Sequence, residues 1–158
     1  MVAVLRTCAF CFLLGAAAAL GALDARAVEP DARADESGLD TLPPQRLNEG
    51  QCGLFLWKRA AQPVFILVVY DQPARARILT QGRARDLPRT SFSGEPVFGH
   101  FEHQVFSDGN VTLDLNVRFD EQRSIRDGAV VSEGVLRLGG GAGSQTIIPV
   151  GGMVACKR

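Results

Sequence analysis

The stretch Val111-Thr-Leu-Asp-Leu-Asn-Val-Arg-Phe-Asp120 decides the fold class. Val111, Leu113, Leu115, Val117 and Phe119 alternate with Thr112, Asp114, Asn116, Arg118 and Asp120. A period of two places one set against a core and the other in water, the pattern of a half-buried antiparallel strand. Just upstream, Ser107-Asp-Gly-Asn110 sets Asp108-Gly109 between apolar runs, a hairpin signal, and residues 99–106 read as the strand before it.

Strand patterns extend outward from this centre. Upstream, residues 64–70 (Val-Phe-Ile-Leu-Val-Val-Tyr) form a run too short for an independent helix and rich in β-formers. Residues 51–58 precede it, with Cys52, Leu54 and Leu56 on one face and Gly53, Phe55 and Trp57 on the other, both apolar. Residues 75–80 and 83–87 follow around Gln81-Gly82; Pro88 is expected to stop the second, and 89–98 reads as a long loop broken by Gly94 and Pro96. Downstream, polar residues 121–128 leave room for a helical turn, and 129–138 and 145–155 pair around the glycine-rich 139–144. Pro149 and Gly151-Gly152 predict a bulge or bend in the last strand. The expectation is all-β, a single antiparallel barrel or curved sandwich of about eight strands.

The two ends of the chain set its address and its closure. Residues 7–23 carry no charge and Ala25-Arg-Ala27 follows, so 1–27 reads as an export signal, with an uncleaved anchor as the alternative. Removing it leaves Cys52 and Cys156, which an oxidising compartment would join, bringing the first and last strands together. A redox-active pair is the alternative, although the only C-x-x-C, Cys8 to Cys11, lies inside the signal. Residues 28–46 hold a net charge of −3 with Pro30, Gly38, Pro43 and Pro44, and read as a disordered acidic tether before a domain at 47–158 of net charge +2. That balance points away from nucleic acid, and no stable membrane insertion is expected after signal cleavage; the expected location is periplasmic or secreted.

Candidate sites are few. Arg75, Arg77, Arg83, Arg85 and Arg89 lie within fifteen residues, and on neighbouring strands they would make a basic ribbon for an anionic envelope component or a protein partner. The alternative is a solvated hairpin protected by its charge, favoured by a chain that uses 15 Arg against 2 Lys. Phe55, Trp57 and Tyr70, with Phe65 and Phe92, are candidates to line a barrel interior that holds a small apolar ligand, against the default of a filled core. In His100-Phe-Glu-His103, strand alternation sends the two imidazoles to opposite faces, giving a solvated His100, a core-edge His103 and no metal site. Ser91 and Ser93 lack a nucleophile motif, 139–144 lacks the lysine and helix of a phosphate loop, and no carboxylate pair stands out. No catalytic residue, metal or cofactor is expected.

The residues Cys52-Gly-Leu-Phe-Leu-Trp57, the 99–106 segment and Ile148-Pro-Val-Gly-Gly-Met-Val-Ala-Cys156 resemble small exported bacterial β-rich proteins over about residues 43–158. That resemblance implies no activity and no site residues. Periplasmic inhibitors of c-type lysozyme are similar in size and are eight-stranded barrels, but their Ser-Gly-x-x-Tyr signature is half matched, by Ser93-Gly94 with Val97 in the tyrosine's place. The expected function is non-enzymatic binding of an envelope component or protein partner. A carrier of a small apolar ligand is the alternative, with a hydrolase behind it.

Overall fold

The computed structural model describes residues 37–120, 126–140 and 143–158. The export signal, the first part of the tether, residues 121–125 of the 121–128 connection and two residues of the glycine-rich 139–144 lie outside them.

Eight antiparallel strands follow the predicted alternation closely: β1 Cys52–Lys58, β2 Val64–Tyr70, β3 Arg75–Thr80, β4 Arg83–Ser93, β5 His103–Ser107, β6 Val111–Asp120, β7 Gly128–Gly140 and β8 Gln145–Cys156. Each pairs with the next, and β8 pairs with β1, so the sheet is a closed barrel rather than a sandwich. Closure leaves no free edge along the sheet. Cys52 stands directly opposite Cys156, and the two are joined by a disulfide across a Cα separation of 4.0 Å.

Inward positions are aliphatic and fill the barrel. Leu54, Leu56, Leu67, Val69, Ala76, Ile78, Leu87, Leu113, Leu115, Leu136, Ile148, Val150 and Val154 are almost wholly buried in one cluster with Phe106. Phe55, Trp57 and Tyr70 do not line this interior. Phe55 pairs with Val68, and both belong with Tyr70 to a second apolar layer on the outer wall. Trp57 stacks on Phe65, another member of that layer, at 5.1 Å. For Phe55 the reason is the pleat: Leu54 and Leu56 take the inner face of β1, so the residue between them must point out.

That outer layer is covered by residues expected to be disordered. The described end of the tether, residues 37–46, is a strap lying against the barrel. Leu39 joins the interior cluster, and Leu42 packs with Val68 and Tyr70. Backbone bonds run from Asp40 N–H to the Leu79 carbonyl and from Leu42 N–H to the Phe65 carbonyl, both 2.8 Å. Each leucine contributes roughly 1.5–3 kcal/mol of burial, enough to hold a short segment whose composition alone predicts disorder.

Two strand boundaries differ from expectation. β4 runs through Pro88 to Ser93, because Pro88 sits opposite Arg75, the first residue of β3, where that ladder ends and a missing N–H breaks nothing further. From Arg89 onward β4 pairs with β5, through a bulge between Arg89 and Ser91. β5 starts only at His103, because Phe98 and Gly99 both take positive φ, at 50° and 79°, and turn the chain away from the sheet.

Candidate binding site

The end of the barrel that carries the disulfide holds a cation with aromatic neighbours. Arg89 pairs with Phe106, so its side chain leaves from the inner wall at the rim. The bulge that follows turns Phe92 to the face of Gln104, its partner on β5. The Arg89 guanidinium then lies 4.9 Å from the Phe92 ring centre and 5.0 Å from that of Phe101, and the two rings stand 4.2 Å apart. Nη1 donates to Gln104 Oε1 at 3.0 Å and to the Gly99 carbonyl at 3.3 Å. Gln104, fully buried, is fixed in turn by donating from Nε2 to the Phe101 carbonyl at 3.2 Å.

Burial lowers the Arg89 pKa, with Asp71 acting the opposite way. Among the described residues no carboxylate comes within ion-pair distance of it. Above the group, Phe92 and Phe98 are 55% and 40% exposed, large apolar surface at the rim of a charged site. Asp71 braces the floor: its Oδ1 accepts from Cys52 N–H at 3.0 Å and from Gln72 N–H at 2.8 Å. Gly99 is required here, since a Cβ on it would lie 2.9 Å from Asp71 Cβ.

Beneath this floor lies His100, and both histidines reverse the expected arrangement. His100 is wholly buried, and neither ring nitrogen makes a hydrogen bond of regular geometry among the described residues, although the Cys52 carbonyl interacts with the ring. His103 is the solvated one, its side chain 38% exposed. The two rings do take opposite sides, but the turn at Phe98-Gly99 leaves His100 outside the strand that begins at His103, so strand position does not decide which of them is buried. The His100 pKa falls from 6.5 to about 3, because burial penalises the charged ring and, secondly, because Arg89 repels it; the Cys52 carbonyl opposes both. Between those values the unfolded chain binds a proton that the fold excludes. Stability is therefore lost as pH falls from 6.5 towards 3, by about 1.4 kcal/mol per pH unit. The variant His100→Leu is expected to match the parent at neutral pH, since an apolar replacement leaves no unpaired nitrogen. It should lose about 2 kcal/mol less between pH 6.5 and 4.5 in urea titrations; equal losses would remove His100 as the source.

No family model, curated protein or solved structure matches the chain.

The predicted arginine ribbon is divided by the β3–β4 register. Arg77 pairs with Asp86, which puts Arg75, Arg77 and Asp86 on the outer wall, whereas Arg85 pairs with the inward Ile78 and Arg83 with Thr80. The outer pair is already occupied. Arg77 clasps Asp86 through two bonds of 2.6 and 2.7 Å, and Arg75 Nε approaches the same carboxylate at 3.6 Å. Both guanidinium groups lie over the Tyr70 ring, at 4.6 and 5.8 Å, and Gln45 of the strap accepts from Tyr70 and Arg77. The hydrogen-bonded pair raises the Arg77 pKa and lowers that of Asp86. These arginines fasten the strap, leaving Arg89 at one mouth and Arg83 and Arg85 at the other.

One grouping has no counterpart in the sequence motifs. Ser93 Oγ lies 3.3 Å from His103 Nδ1, and His103 Nε2 lies 3.3 Å from Asp114 Oδ1, across β4, β5 and β6. Asn116 and Arg137 also approach Asp114, at 2.8 and 3.9 Å. The row lies on the open outer wall, half exposed, where water screens each partner; it reads as a cross-strand polar tie. Strand register creates it, and only the finished pairing of Ser93 with His103 makes it visible.

Proposed function

We propose that this chain is an exported, non-enzymatic binding domain whose disulfide-end rim engages an acidic group flanked by apolar surface, on an envelope component or a protein partner. The observation that carries the reading is Arg89 held against the Phe92–Phe101 pair, with no carboxylate at ion-pair distance among the described residues and Phe92 largely exposed. A guanidinium positioned by stacking presents its remaining N–H groups in a fixed orientation, suited to a carboxylate or phosphate. Aromatic and arginine side chains together are the usual anchors of recognition surfaces. The uncharged run at residues 7–23 and the Cys52–Cys156 disulfide support export. The aliphatic filling of the barrel favours this rim over a carrier's interior site.

The test is retention on immobilised protein of four probes: phosphatidylglycerol vesicles, lipopolysaccharide, peptidoglycan sacculi and solubilised envelope proteins. The parent should retain at least one of them, and Phe92→Ala should weaken that binding about tenfold or more, the loss of one partly buried anchor. Phe92 is exposed, so the variant should fold normally. Retention equal to the parent's, or no probe held by the parent at micromolar concentration, would overturn the proposal.

A further inference from the structure

The opposite mouth of the barrel carries a second, chemically distinct site. We propose that Arg83 and Arg85 form a receptor there for a tetrahedral oxyanion, the phosphoryl or sulfuryl group of a small ligand. The two arginines lie two residues apart on β4, so their side chains share one face, and the register fixes that face as the inner one: Arg83 pairs with Thr80 and Arg85 with the wholly buried Ile78. They therefore overhang the lumen at its rim rather than the outer wall.

Below them is a basin of about 380 Å³ lined by both arginines, by the hydroxyl-bearing Thr80, Ser144 and Thr146, and by Leu138. Leu39 of the strap closes the lumen from this region, packed in the interior cluster that Leu138 and Val111 border, so a ligand would rest on an apolar floor without entering the core. The donors above the floor are only partly engaged. The Arg83 side chain has no ion-pair or hydrogen-bond partner among the described residues. Arg85 Nη1 lies 3.6 Å from Asp108 Oδ2, an ion-pair distance beyond hydrogen bonding, and Asp108 Oδ1 is already accepting from the Asn110 and Val111 N–H groups at 2.9 Å. The other acid close to this rim, Asp40, accepts from Gly82 N–H at 2.8 Å.

The chemistry selects the ligand class. Two guanidinium forks and several hydroxyls offer many donors and few acceptors, which suits a group with several acceptor oxygens and more than one direction of approach. A carboxylate would use one fork and leave the other unpaired. A basin of this size accommodates a phosphorylated or sulfated small molecule and excludes a folded partner. This site is independent of the Arg89 rim, which lies at the other end of the strands.

The experiment follows amide resonances of the whole domain during titration with inorganic phosphate, then with sulfate, each at an ionic strength matched by sodium chloride. Saturable shifts are expected at Thr80, Gly139, Gly140 and Thr146, with no comparable response to chloride. A larger affinity for phosphate or for sulfate distinguishes the two sources. In Arg83→Gln/Arg85→Gln the affinity should fall at least tenfold, whereas Arg118→Gln, which removes an exposed charge paired with Glu133 on the outer wall, should leave it within about twofold. The spectrum of each variant reports its folding directly. Shifts that grow linearly with salt of any kind, or an equal loss in the Arg118 variant, would overturn the proposal.

Discussion

Gly152→Ala is expected to prevent folding, or to destabilise the domain by more than about 4 kcal/mol. Gly152 lies on β8 opposite Leu56 of β1, at the seam where the last strand closes on the first. A Cβ placed there would fall 1.9 Å from the Phe55 carbonyl oxygen and 3.0 Å from its carbon. Those are backbone atoms of a paired strand, so no side-chain rotation relieves the overlap. On the other flank β8 meets the irregularity of β7 between Val131 and Gly134, where Gly152 is the partner of Val131. The seam therefore has to shift as a whole, against a net stability of about 5–15 kcal/mol for a domain of this kind. The comparison that isolates the effect is Gly140→Ala, the same chemical change at a position where nothing lies within 4 Å of the added carbon. It should stay within about 1 kcal/mol of the parent. Urea unfolding followed by far-UV circular dichroism reads both, and a loss of under about 1 kcal/mol for Gly152→Ala would show that the seam has slack.

The same seam shows how far the sequence could be read. Alternation at Val111–Asp120, the apolar faces of β1 and the pairing of Cys52 with Cys156 are local or elimination arguments, and each has its physical counterpart in the barrel. The apolar outer face of β1 was itself a sign that something must cover it. What the residues could not reveal was that Leu42, isolated in acidic and proline-rich surroundings, supplies part of that cover while Leu39 reaches the interior cluster, because the receiving surfaces exist only after the strands pair. The site depends on longer-range facts still. One turn at Phe98-Gly99 inverts the two histidines, and one hairpin register sends five neighbouring arginines to the outer wall and two opposite mouths. Parity within a strand is legible in a sequence. The residue at which the strand begins, which sets that parity, is decided by backbone conformations such as positive φ at a phenylalanine.

Removing the disulfide should produce an effect of similar size with a different signature. Cys52 and Cys156 are separated by 104 positions, and a ring of about that length restrains the unfolded chain by roughly 4–5 kcal/mol in the chain-entropy model. The double variant Cys52→Ala/Cys156→Ala leaves the β1–β8 ladder free to form, since Gly53 to Lys58 pair with Ala155 to Val150 independently of the sulfur atoms. Its native spectrum should therefore resemble the parent's while its unfolding free energy falls by roughly 4 kcal/mol. Gly152→Ala, in contrast, should disturb the native state itself. The first local casualty should be the Arg89 rim. Cys52 donates its N–H to Asp71, the brace under Gly99, and the Asp71 N–H returns to the Cys52 carbonyl at 3.2 Å. When Cys52 loosens, that brace and the loop carrying Phe98 and Phe101 lose their anchor together. Hydrogen exchange of the Cys52, Asp71 and Gln72 amides should accelerate in the double variant well before those of the β6–β7 ladder. A double variant within about 1 kcal/mol of the parent, with unchanged exchange at these amides, would show that ladder pairing alone holds the barrel closed.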